Sequence, residues 1–370
     1  MIAAVLLTAC AGAVSTGCTP GGPVDSTPSA VAPPAAEEGS ASPTRPPPPA
    51  TPTDVVTGLA APWSIAFAGG SALVSERDSA RILEITADGE VRELGAVAGV
   101  RHGGEGGLLG IATAPGDSAL FVYSTADEGN RVQRFALLDE AGELSLGDPD
   151  TVIDGIPRSS THNGGRIAFG PDGMLFVTTG DAGDPTAAQD PSSLAGKILR
   201  VTADGGVPED NPFDGSPVYS LGHRNVQGIA WTDEGEMFAS EFGQNRLDEL
   251  NVIVAGGNYG WPEVEGSGGG DRFVDPVQEW PTDRASPSGI AIIGDTLYLA
   301  NLRGRVLRAV PTAQPDEATD YFEGEFGRLR AVTRAPDGAL WILTGNTDGR
   351  GDPGDGDDRI LAVDPAAVRG

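Results

Sequence analysis

A short sequence pattern recurs six times between residue 54 and the C-terminus, and it restricts the fold more than any other feature of the chain. Each copy has an apolar, small and apolar triplet, then a turn rich in glycine and aspartate, then alternating apolar residues. The copies are anchored at Ile65, Ile111, Ile167, Ile229, Ile290 and Val332. Successive anchors lie 42 to 62 residues apart. A repeat of this length indicates supersecondary units that bury a continuous core by stacking on their neighbours.

Each copy has the pattern of four short antiparallel strands. Apolar residues alternate with a period of two, a second half-unit such as 81–85 or 197–201 follows most copies, and no stretch keeps a helical period. The 54 glycines and 30 prolines supply the turns. Four strands per repeat are typical of a propeller blade. The sequence therefore predicts an all-β fold, a six-bladed β-propeller of four-stranded antiparallel blades over residues 54–370.

Functional residues of such a propeller should lie on loops that interrupt the regular spacing. One set of loops faces the central mouth of the ring, and loops carry most binding and catalytic side chains. The longest interruptions fall between residues 178 and 227 and between residues 240 and 288. These two segments are the first places to look for a site.

The first 53 residues lack the repeat. Residues 1–18 form a short apolar and small-residue run that contains the only two cysteines of the chain, Cys10 and Cys18, with no lysine or arginine ahead of them. We interpret the run as a signal or lipoprotein leader, which predicts an exported protein of the cell envelope, periplasm or extracellular space, with a lipid anchor on one of the cysteines. Residues 19–53 are rich in Pro, Ala, Ser and Thr, so they are predicted to be a disordered linker.

The charge balance excludes one class of partner. The chain has 53 acidic and 24 basic residues, a formal net charge of −29, and Lys197 is its only lysine. Nucleic-acid binding needs clustered basic side chains that neutralise phosphates, so we expect no nucleic-acid partner. Anionic lipids would be repelled as well, which leaves a lipid anchor as the expected contact with a membrane.

Three histidines, His102, His162 and His223, each lie in a glycine-rich segment ahead of a predicted strand. His162 is the best candidate for a general base, because Asp181 follows it at the end of the next hairpin. A hairpin return would bring this carboxylate beside the imidazole, where it fixes the tautomer and raises the basicity of the ring. A purely structural role for each histidine stays open.

Arginine and amide side chains cluster just before two other strands. Residues 222–228 contain Arg224, Asn225 and Gln227, and an arginine there suits a carboxylate or a developing oxyanion. A clamp on a loop between blades is the alternative. Arg328 and Arg330 are two residues apart, so on a strand they project to the same side. They form either a receptor for carboxylates or a bridge to acidic neighbours.

Two acidic segments resemble cation-binding loops. Residues 241–249 offer carbonyl and carboxylate oxygens to a hard cation, although they lack the alternating ligand spacing of an EF-hand loop. Residues 348–358 contain five aspartates and glycine-rich turns, and look still more suited to calcium. A solvated loop is the alternative for the second segment, because blocks of like charge are usually solvated.

Several segments in a fixed order resemble the soluble pyrroloquinoline quinone (PQQ)-dependent glucose and aldose sugar dehydrogenases, the glucose/sorbosone dehydrogenase family. The resemblance runs from about Gly58 to the C-terminus. Each segment alone is weakly specific, but their order and spacing together are highly specific. The matching segments are 61–64 with 76–77, 105–110, 162–181, 189–200, 210–213, 222–228, 248–251 and 257–262.

The resemblance implies a six-bladed propeller that oxidises the C1 hydroxyl of an aldose to a lactone. Its implied cofactors are PQQ and Ca²⁺, and its electron acceptor is an external quinone or cytochrome. By similarity, His162 is the general base, Asp181 orients it, and Arg224 polarises the C5 carbonyl of the quinone. The residues that match cofactor contacts are Glu105, His162, Arg224, Asn225, Gln227, Arg303, Arg328 and Arg330. The backbone carbonyls of Gly243 and Gln244 match the calcium ligands.

Three positions depart from the usual pattern of the family. Glu105 replaces a glutamine, Gln244 replaces a proline after the calcium-binding glycine, and Arg303 stands at the position of a cofactor-binding lysine. Two other functions remain as alternatives: a calcium-dependent lactonase on a six-bladed propeller, and a non-catalytic binding propeller tethered to the envelope. The sequence does not specify the preferred sugar, the electron acceptor or the oligomeric state.

Overall fold

A computed structural model describes residues 51–86, 88–116, 118–140 and 143–370. The predicted leader and nearly all of the predicted linker lie outside these residues. The described chain forms 24 strands in six four-stranded antiparallel sheets. The innermost strands of consecutive sheets are in contact, and the first sheet also contacts the last. The prediction of a six-bladed β-propeller is therefore confirmed.

The first three blades follow the chain in order from the innermost to the outermost strand. Blade 1 comprises β2 (Pro62–Ala68), β3 (Ser71–Glu76), β4 (Arg81–Ile85) and β5 (Val91–Ala96). Blade 2 comprises β6 (Leu108–Thr113), β7 (Ala119–Thr125), β8 (Asn130–Glu140) and β9 (Glu143–Ile156). Blade 3 comprises β10 (Ile167–Phe169), β11 (Leu175–Thr178), β12 (Lys197–Val201) and β13 (Val218–Leu221).

Blades 4 and 5 repeat this order, and blade 6 takes its outermost strand from the other end of the chain. Blade 4 comprises β14 (Val226–Trp231), β15 (Met237–Glu241), β16 (Leu247–Ile253) and β17 (Gln278–Pro281). Blade 5 comprises β18 (Pro287–Ile293), β19 (Thr296–Asn301), β20 (Leu307–Pro311) and β21 (Thr319–Tyr321). Blade 6 comprises β22 (Leu329–Arg334), β23 (Leu340–Thr344), β24 (Arg359–Val363) and β1 (Thr53–Thr57).

The pairing of β1 with β24 closes the ring. The two strands are antiparallel, with Thr53 opposite Ala362 and Thr57 opposite Arg359. The guanidinium of Arg359 also lies 3.4 Å from the Asp54 carboxylate. Since both cysteines precede residue 51, this closure depends on strand pairing and packing rather than on a disulfide.

The hydrophobic core lies between the blades. Six clusters of buried apolar side chains fill the six gaps between consecutive sheets. In the gap between blades 1 and 2, Leu73 and Ile82 pack with Leu108, Leu120 and Val122, and all five side chains are buried. Because the sheets bury their faces against each other in this way, the alternating residues of strands such as β3, β7 and β19 all contribute to the core.

Irregular pairing in the innermost strands shapes the centre of the ring. In blades 1, 2, 4, 5 and 6 the register of this strand shifts just before the repeat anchor, for example between Val226 and Gly228 and between Leu329 and Ala331. A bulge bends a strand and redirects the side chains next to it. Here it allows Gln227 of blade 4 and Arg330 of blade 6 to meet at 3.1 Å.

The interrupted segments noted in the sequence form long loops. Residues 179–196 join β11 to β12 and contain a 3₁₀ turn at Pro185–Gln189, and residues 254–277 join β16 to β17 and contain another at Gly270–Arg272. The third 3₁₀ turn, Pro365–Ala367, follows the last strand. Among the described residues, no helix is long and apolar enough to span a membrane.

Candidate active site

The candidate site is a cavity of about 170 Å³ formed by loops from several blades. Eight of the eleven site residues predicted from the sequence line it: Glu105, His162, Arg224, Asn225, Gly243, Gln244, Arg303 and Arg328. The other lining residues are Phe242, Asp248, Thr282, Ser286, Leu302 and Arg350. The three remaining predicted residues, Asp181, Gln227 and Arg330, are buried behind this lining. The fold therefore brings together residues that are far apart in the sequence.

Two larger depressions of about 520 and 360 Å³ lie elsewhere on the described surface. The first is lined by residues such as Asp127, Glu128 and Asn130, and the second by residues such as Glu325 and Asp355. Neither lining includes a histidine. Size alone therefore does not identify the site, and the chemistry of the side chains does.

His162 and Asp181 form a hydrogen-bonded pair, as predicted. The Nδ1 atom of His162 lies 2.7 Å from Oδ1 of Asp181. The same carboxylate accepts hydrogen bonds from the backbone N–H of Gly183 at 2.8 Å and from the indole Nε1–H of Trp261 at 2.9 Å. Burial works to raise the pKa of Asp181, but these hydrogen bonds bring it below its usual value. Asp181 is therefore an ionised, firmly oriented partner of the imidazole.

The neighbours of His162 specify its tautomer. Nη2 of Arg224 lies 2.8 Å from Nε2 of the imidazole. A guanidinium can only donate hydrogen bonds, so Nε2 is the acceptor and Nδ1 carries the proton that points to Asp181. In this tautomer Nε2 carries the lone pair that a general base requires, and Arg224 is its hydrogen-bond partner in the structure.

The backbone of His162 is held in a left-handed conformation with φ of 56°. Its N–H donates to Oε2 of Glu105 at 2.8 Å, and its carbonyl accepts from the N–H of Ala182 at 3.1 Å. A Cβ atom on Gly180 would lie 1.9 Å from the same carbonyl, so only glycine fits at that position. Non-glycine residues seldom adopt this conformation, and here the surrounding contacts enforce it.

Glu105, which stands where the family usually has glutamine, connects His162 to a residue from blade 6. Its Oε1 lies 3.0 Å from Nη1 of Arg350. Burial works to raise the pKa of Glu105, but the N–H of His162 and the charge of Arg350 bring it below its usual value. Glu105 is therefore an ionised carboxylate at the edge of the cavity.

Arg224 spans the space between the imidazole and the loop that follows β15. Nη1 donates to the carbonyls of Phe242 at 3.1 Å and Gly243 at 2.5 Å, and the guanidinium lies 5.5 Å from the ring centre of Trp261. Its buried Nε has no hydrogen-bond partner among the described residues. Burial lowers the pKa of Arg224 from its ordinary value, although the group stays a cation at neutral pH.

Arg328 and Arg330 converge on one carboxylate. Each donates through Nη2 to Oδ2 of Asp348 at 3.1 Å. Arg330 also donates to Oε1 of Gln227 at 3.1 Å, and burial lowers its pKa to about 10. The two arginines thus bind the same acidic neighbour, Asp348, which was one of the two interpretations of their spacing in the sequence. Since one aspartate faces two guanidinia, positive charge remains available at the cavity.

The predicted calcium ligands, Gly243 and Gln244, lie in a tightly ordered loop. Oε1 of Glu265 accepts hydrogen bonds from the four successive backbone N–H groups of residues 244–247, at 2.6 to 3.2 Å. The N–H of Gly243 donates to Asp248 at 2.9 Å, and burial raises the pKa of Asp248 to about 6. The described residues contain no group of three or more His, Cys, Asp and Glu suited to a metal ion.

The acidic segment 348–358 uses its buried carboxylates inside the protein. Asp348 binds the two arginines, and Asp358 accepts hydrogen bonds from Thr344, Asn346 and Thr347. These contacts account for two of the aspartates that suggested calcium binding. The spacing of the aspartates did not predict the contacts of Asp348, because Arg328 and Arg330 lie at the start of a different strand, β22.

The other two histidines lie outside the cavity lining. His102 is exposed. His223 is fully buried, with Nδ1 2.8 Å from Glu241 and Nε2 2.9 Å from Ser220, and it stacks on Tyr259. The choice of His162 over His223 thus agrees with the geometry.

The sequence profile of the glucose/sorbosone dehydrogenase family matches residues 59–352 of the chain. The chain belongs to this family. The resemblance stated from its motifs is confirmed. The match covers blades 1 to 5 and two strands of blade 6, and it leaves out β1 and β24. The matched region of this glucose/sorbosone dehydrogenase family member therefore includes every predicted site residue.

Solved structures and relatives agree with the glucose/sorbosone dehydrogenase assignment. The PQQ-bound form of aldose sugar dehydrogenase from Streptomyces coelicolor is 51% identical with a TM-score of 0.81, covering 86% of this chain and 99% of that one. An oxidoreductase described as a glucose dehydrogenase, from Thermus thermophilus, is 41% identical with a TM-score of 0.78, covering 85% and 99%. Aldose sugar dehydrogenase YliI of Escherichia coli K12 is 29% identical over 343 residues, 78% of this chain and 88% of that protein.

Proposed function

We propose that this chain is a PQQ-dependent aldose sugar dehydrogenase that oxidises the C1 hydroxyl of an aldose to the lactone. The observation that carries the proposal is the chain of contacts from Asp181 through His162 to Arg224 at one cavity. It holds a neutral imidazole whose Nε2 lone pair accepts a hydrogen bond from a guanidinium. A base beside a fixed cation suits removal of a hydroxyl proton together with transfer of negative charge to an acceptor.

The cavity lining fits an anionic aromatic cofactor. Four arginines line it, Arg224, Arg303, Arg328 and Arg350, against two carboxylates. A planar guanidinium binds a carboxylate with paired hydrogen bonds, and PQQ carries three carboxylates. The unpartnered Nε of Arg224 and the amide of Asn225 add polar groups that a ligand can use. When bound, PQQ would accept the hydride from C1 of the sugar, and with it the two electrons of the oxidation.

The residues of the chain have distinct roles in this proposal. Nε2 of His162 takes the proton of the C1 hydroxyl, and Asp181 stabilises the imidazolium that results. Arg224 contacts Nε2 in the structure, so the sugar hydroxyl replaces the guanidinium as the partner of the base. The released guanidinium could then donate a hydrogen bond to a cofactor carbonyl, where it would stabilise negative charge.

The carbonyls of Gly243 and Gln244 would hold the Ca²⁺ ion. Hard cations prefer oxygen ligands, and backbone carbonyls are among the ligands that Ca²⁺ takes in proteins. Convergence of four N–H groups on Glu265 leaves the carbonyls of that loop directed elsewhere, which favours this role. The carbonyl of Gly243 also accepts a hydrogen bond from Arg224, so calcium and Arg224 would both contact this oxygen.

The proposals on location and electron acceptor rest on the leader-like N-terminus and on the family resemblance. We propose an exported protein, held at the membrane only through a lipid anchor on Cys10 or Cys18, with an external quinone or cytochrome as electron acceptor. Cys10 and Cys18 lie outside the described part of the chain. No nucleic-acid role is expected for a chain with a net charge of −29.

Reconstitution of the apoprotein tests the proposed function. Protein purified without cofactors should bind PQQ in calorimetry in the presence of Ca²⁺, and an aldose should then change the quinone absorbance. Removing Ca²⁺ with a chelator should abolish the absorbance change, because the ion polarises the cofactor. A calcium-dependent lactonase would instead hydrolyse lactones without PQQ, and a binding propeller would do neither.

Replacing Trp261 by phenylalanine tests how Asp181 is held. The variant keeps an aromatic ring near Arg224 but removes the N–H donor to Asp181. We expect kcat to fall about 10-fold, since a hydrogen bond to a charged group contributes about that factor, with little change in KM. Trp341→Phe, in blade 6 away from the cavity, is the matched control. An unchanged kcat in Trp261→Phe would show that the indole does not position Asp181.

A further inference from the structure

Arg350 is a cavity residue that the family motifs did not predict. It lies on the loop between β23 and β24, and it lines the cavity together with His162, Arg224 and Arg328. Its guanidinium pairs with Glu105 of the loop before β6, at 3.0 Å, across 245 positions of sequence. The side chain is 49% exposed, whereas that of Glu105 is 15% exposed. The guanidinium can therefore change partner without disturbing the packed core.

Asp348 assembles three arginines at one edge of the cavity. Its Oδ2 accepts from the side chains of Arg328 and Arg330, and its Oδ1 accepts from the backbone N–H of Arg350 at 2.9 Å. The guanidinium of Arg350 is thus placed beside the two predicted carboxylate-binding arginines without using the charge of Asp348. Its charge is balanced by Glu105 instead.

The pair of Arg350 and Glu105 borders two spaces. One is the main cavity, and the other is a void of about 10 Å³ that reaches Arg330, Gln227 and Trp63. Arg350 lines both spaces, whereas Arg330 lines only the smaller one. Because Arg350 and Arg328 both line the main cavity, they can bind two carboxylates of the same ligand or the two oxygens of one.

We propose that Arg350 binds a carboxylate of the aromatic polycarboxylate cofactor, and that Glu105 competes with this carboxylate for the guanidinium. The inference rests on the proposed function, since PQQ is the ligand in question. A glutamine would keep the hydrogen bond to the N–H of His162 through its amide oxygen, but it would leave the charge of Arg350 free.

The test compares ligand affinity in four proteins by calorimetry: the full chain, Arg350→Gln, Glu105→Gln and the double variant. The ligands are PQQ and benzene-1,3,5-tricarboxylate, which cannot take up electrons. Arg350→Gln should raise the Kd of PQQ about 5- to 20-fold, as expected for one charge-assisted hydrogen bond of a partly exposed group. Glu105→Gln should lower Kd several-fold, and its effect should be clearly smaller when Arg350 is already glutamine, because only the general repulsion between Glu105 and the anion is then removed. Arg305→Gln is the matched control, because Arg305 is similarly exposed, at 53%, and does not line the cavity.

The outcomes separate this inference from the proposed function. If the wild type binds PQQ and Arg350→Gln binds it equally well, the role of Arg350 is wrong and the dehydrogenase assignment stands. If the wild type binds the tricarboxylate with the predicted dependence on Arg350 but does not bind PQQ, the carboxylate contact holds and the cofactor assignment fails. Binding of neither ligand overturns both.

Discussion

The variant His162→Gln is expected to lower kcat about 10²- to 10⁴-fold, the usual contribution of a positioned general base. Glutamine cannot take up a proton, so the hydroxyl of the sugar would lose its acceptor. The amide still fits beside Asp181, and the backbone of residue 162 keeps its hydrogen bond to Glu105. Steady-state kinetics of the PQQ- and Ca²⁺-loaded protein measures the effect, and calorimetry shows whether PQQ binding survives.

The matched control for this variant is His102→Gln. His102 is exposed and lies outside the cavity lining, so its replacement should leave kcat unchanged. If His162→Gln bound PQQ and turned over at the wild-type rate, His162 would not be the base. A large loss of kcat in His102→Gln would point to a defect unrelated to proton transfer.

Replacing Arg224 by lysine is expected to lower kcat about 10²- to 10³-fold, the range seen when one donor to a developing oxyanion is removed. The guanidinium contacts the imidazole through Nη2 and two carbonyls through Nη1. A lysine has one nitrogen and cannot hold both contacts in one plane. The loss should appear in kcat more than in KM, because the interaction strengthens as charge develops.

Arg272→Lys is the matched control for Arg224→Lys. Arg272 is 69% exposed and pairs with Glu263 on the surface. Its replacement should change kcat by less than about twofold, since exposed ion pairs contribute little. Retention of full kcat by Arg224→Lys would show that any nearby cation suffices and that the planar fork has no special role.

Much of the fold could be predicted because each blade repeats the same local pattern. Ile65, Ile111, Ile167, Ile229 and Ile290 all fall in innermost strands, as the repeat suggested. The closing strand Thr53–Thr57 lacks the repeat, and its partner β24 lies some three hundred residues away. Pairing at such a distance leaves no local signal, so the sequence did not reveal how the ring closes.

The site was predicted less completely than the fold. The pair of His162 and Asp181 could be proposed because a single hairpin separates them. Arg350 could not, because its contact with Glu105 joins loops of blades 6 and 2. The burial of the Arg330 side chain could not be predicted from the sequence either, since it depends on the shifted register between Leu329 and Ala331. A pattern of alternation specifies which side a residue faces, but not how deep it lies.

The most direct test of the central proposal is the rate at which a sugar reduces the PQQ- and Ca²⁺-loaded protein, followed by stopped-flow absorbance. An aldose deuterated at C1 should react clearly more slowly than the ordinary sugar, because the bond from C1 to hydrogen breaks in the step that His162 assists. The same rate should collapse in His162→Gln. If the protein binds PQQ and the sugar leaves the quinone absorbance unchanged, the chain is not an aldose dehydrogenase.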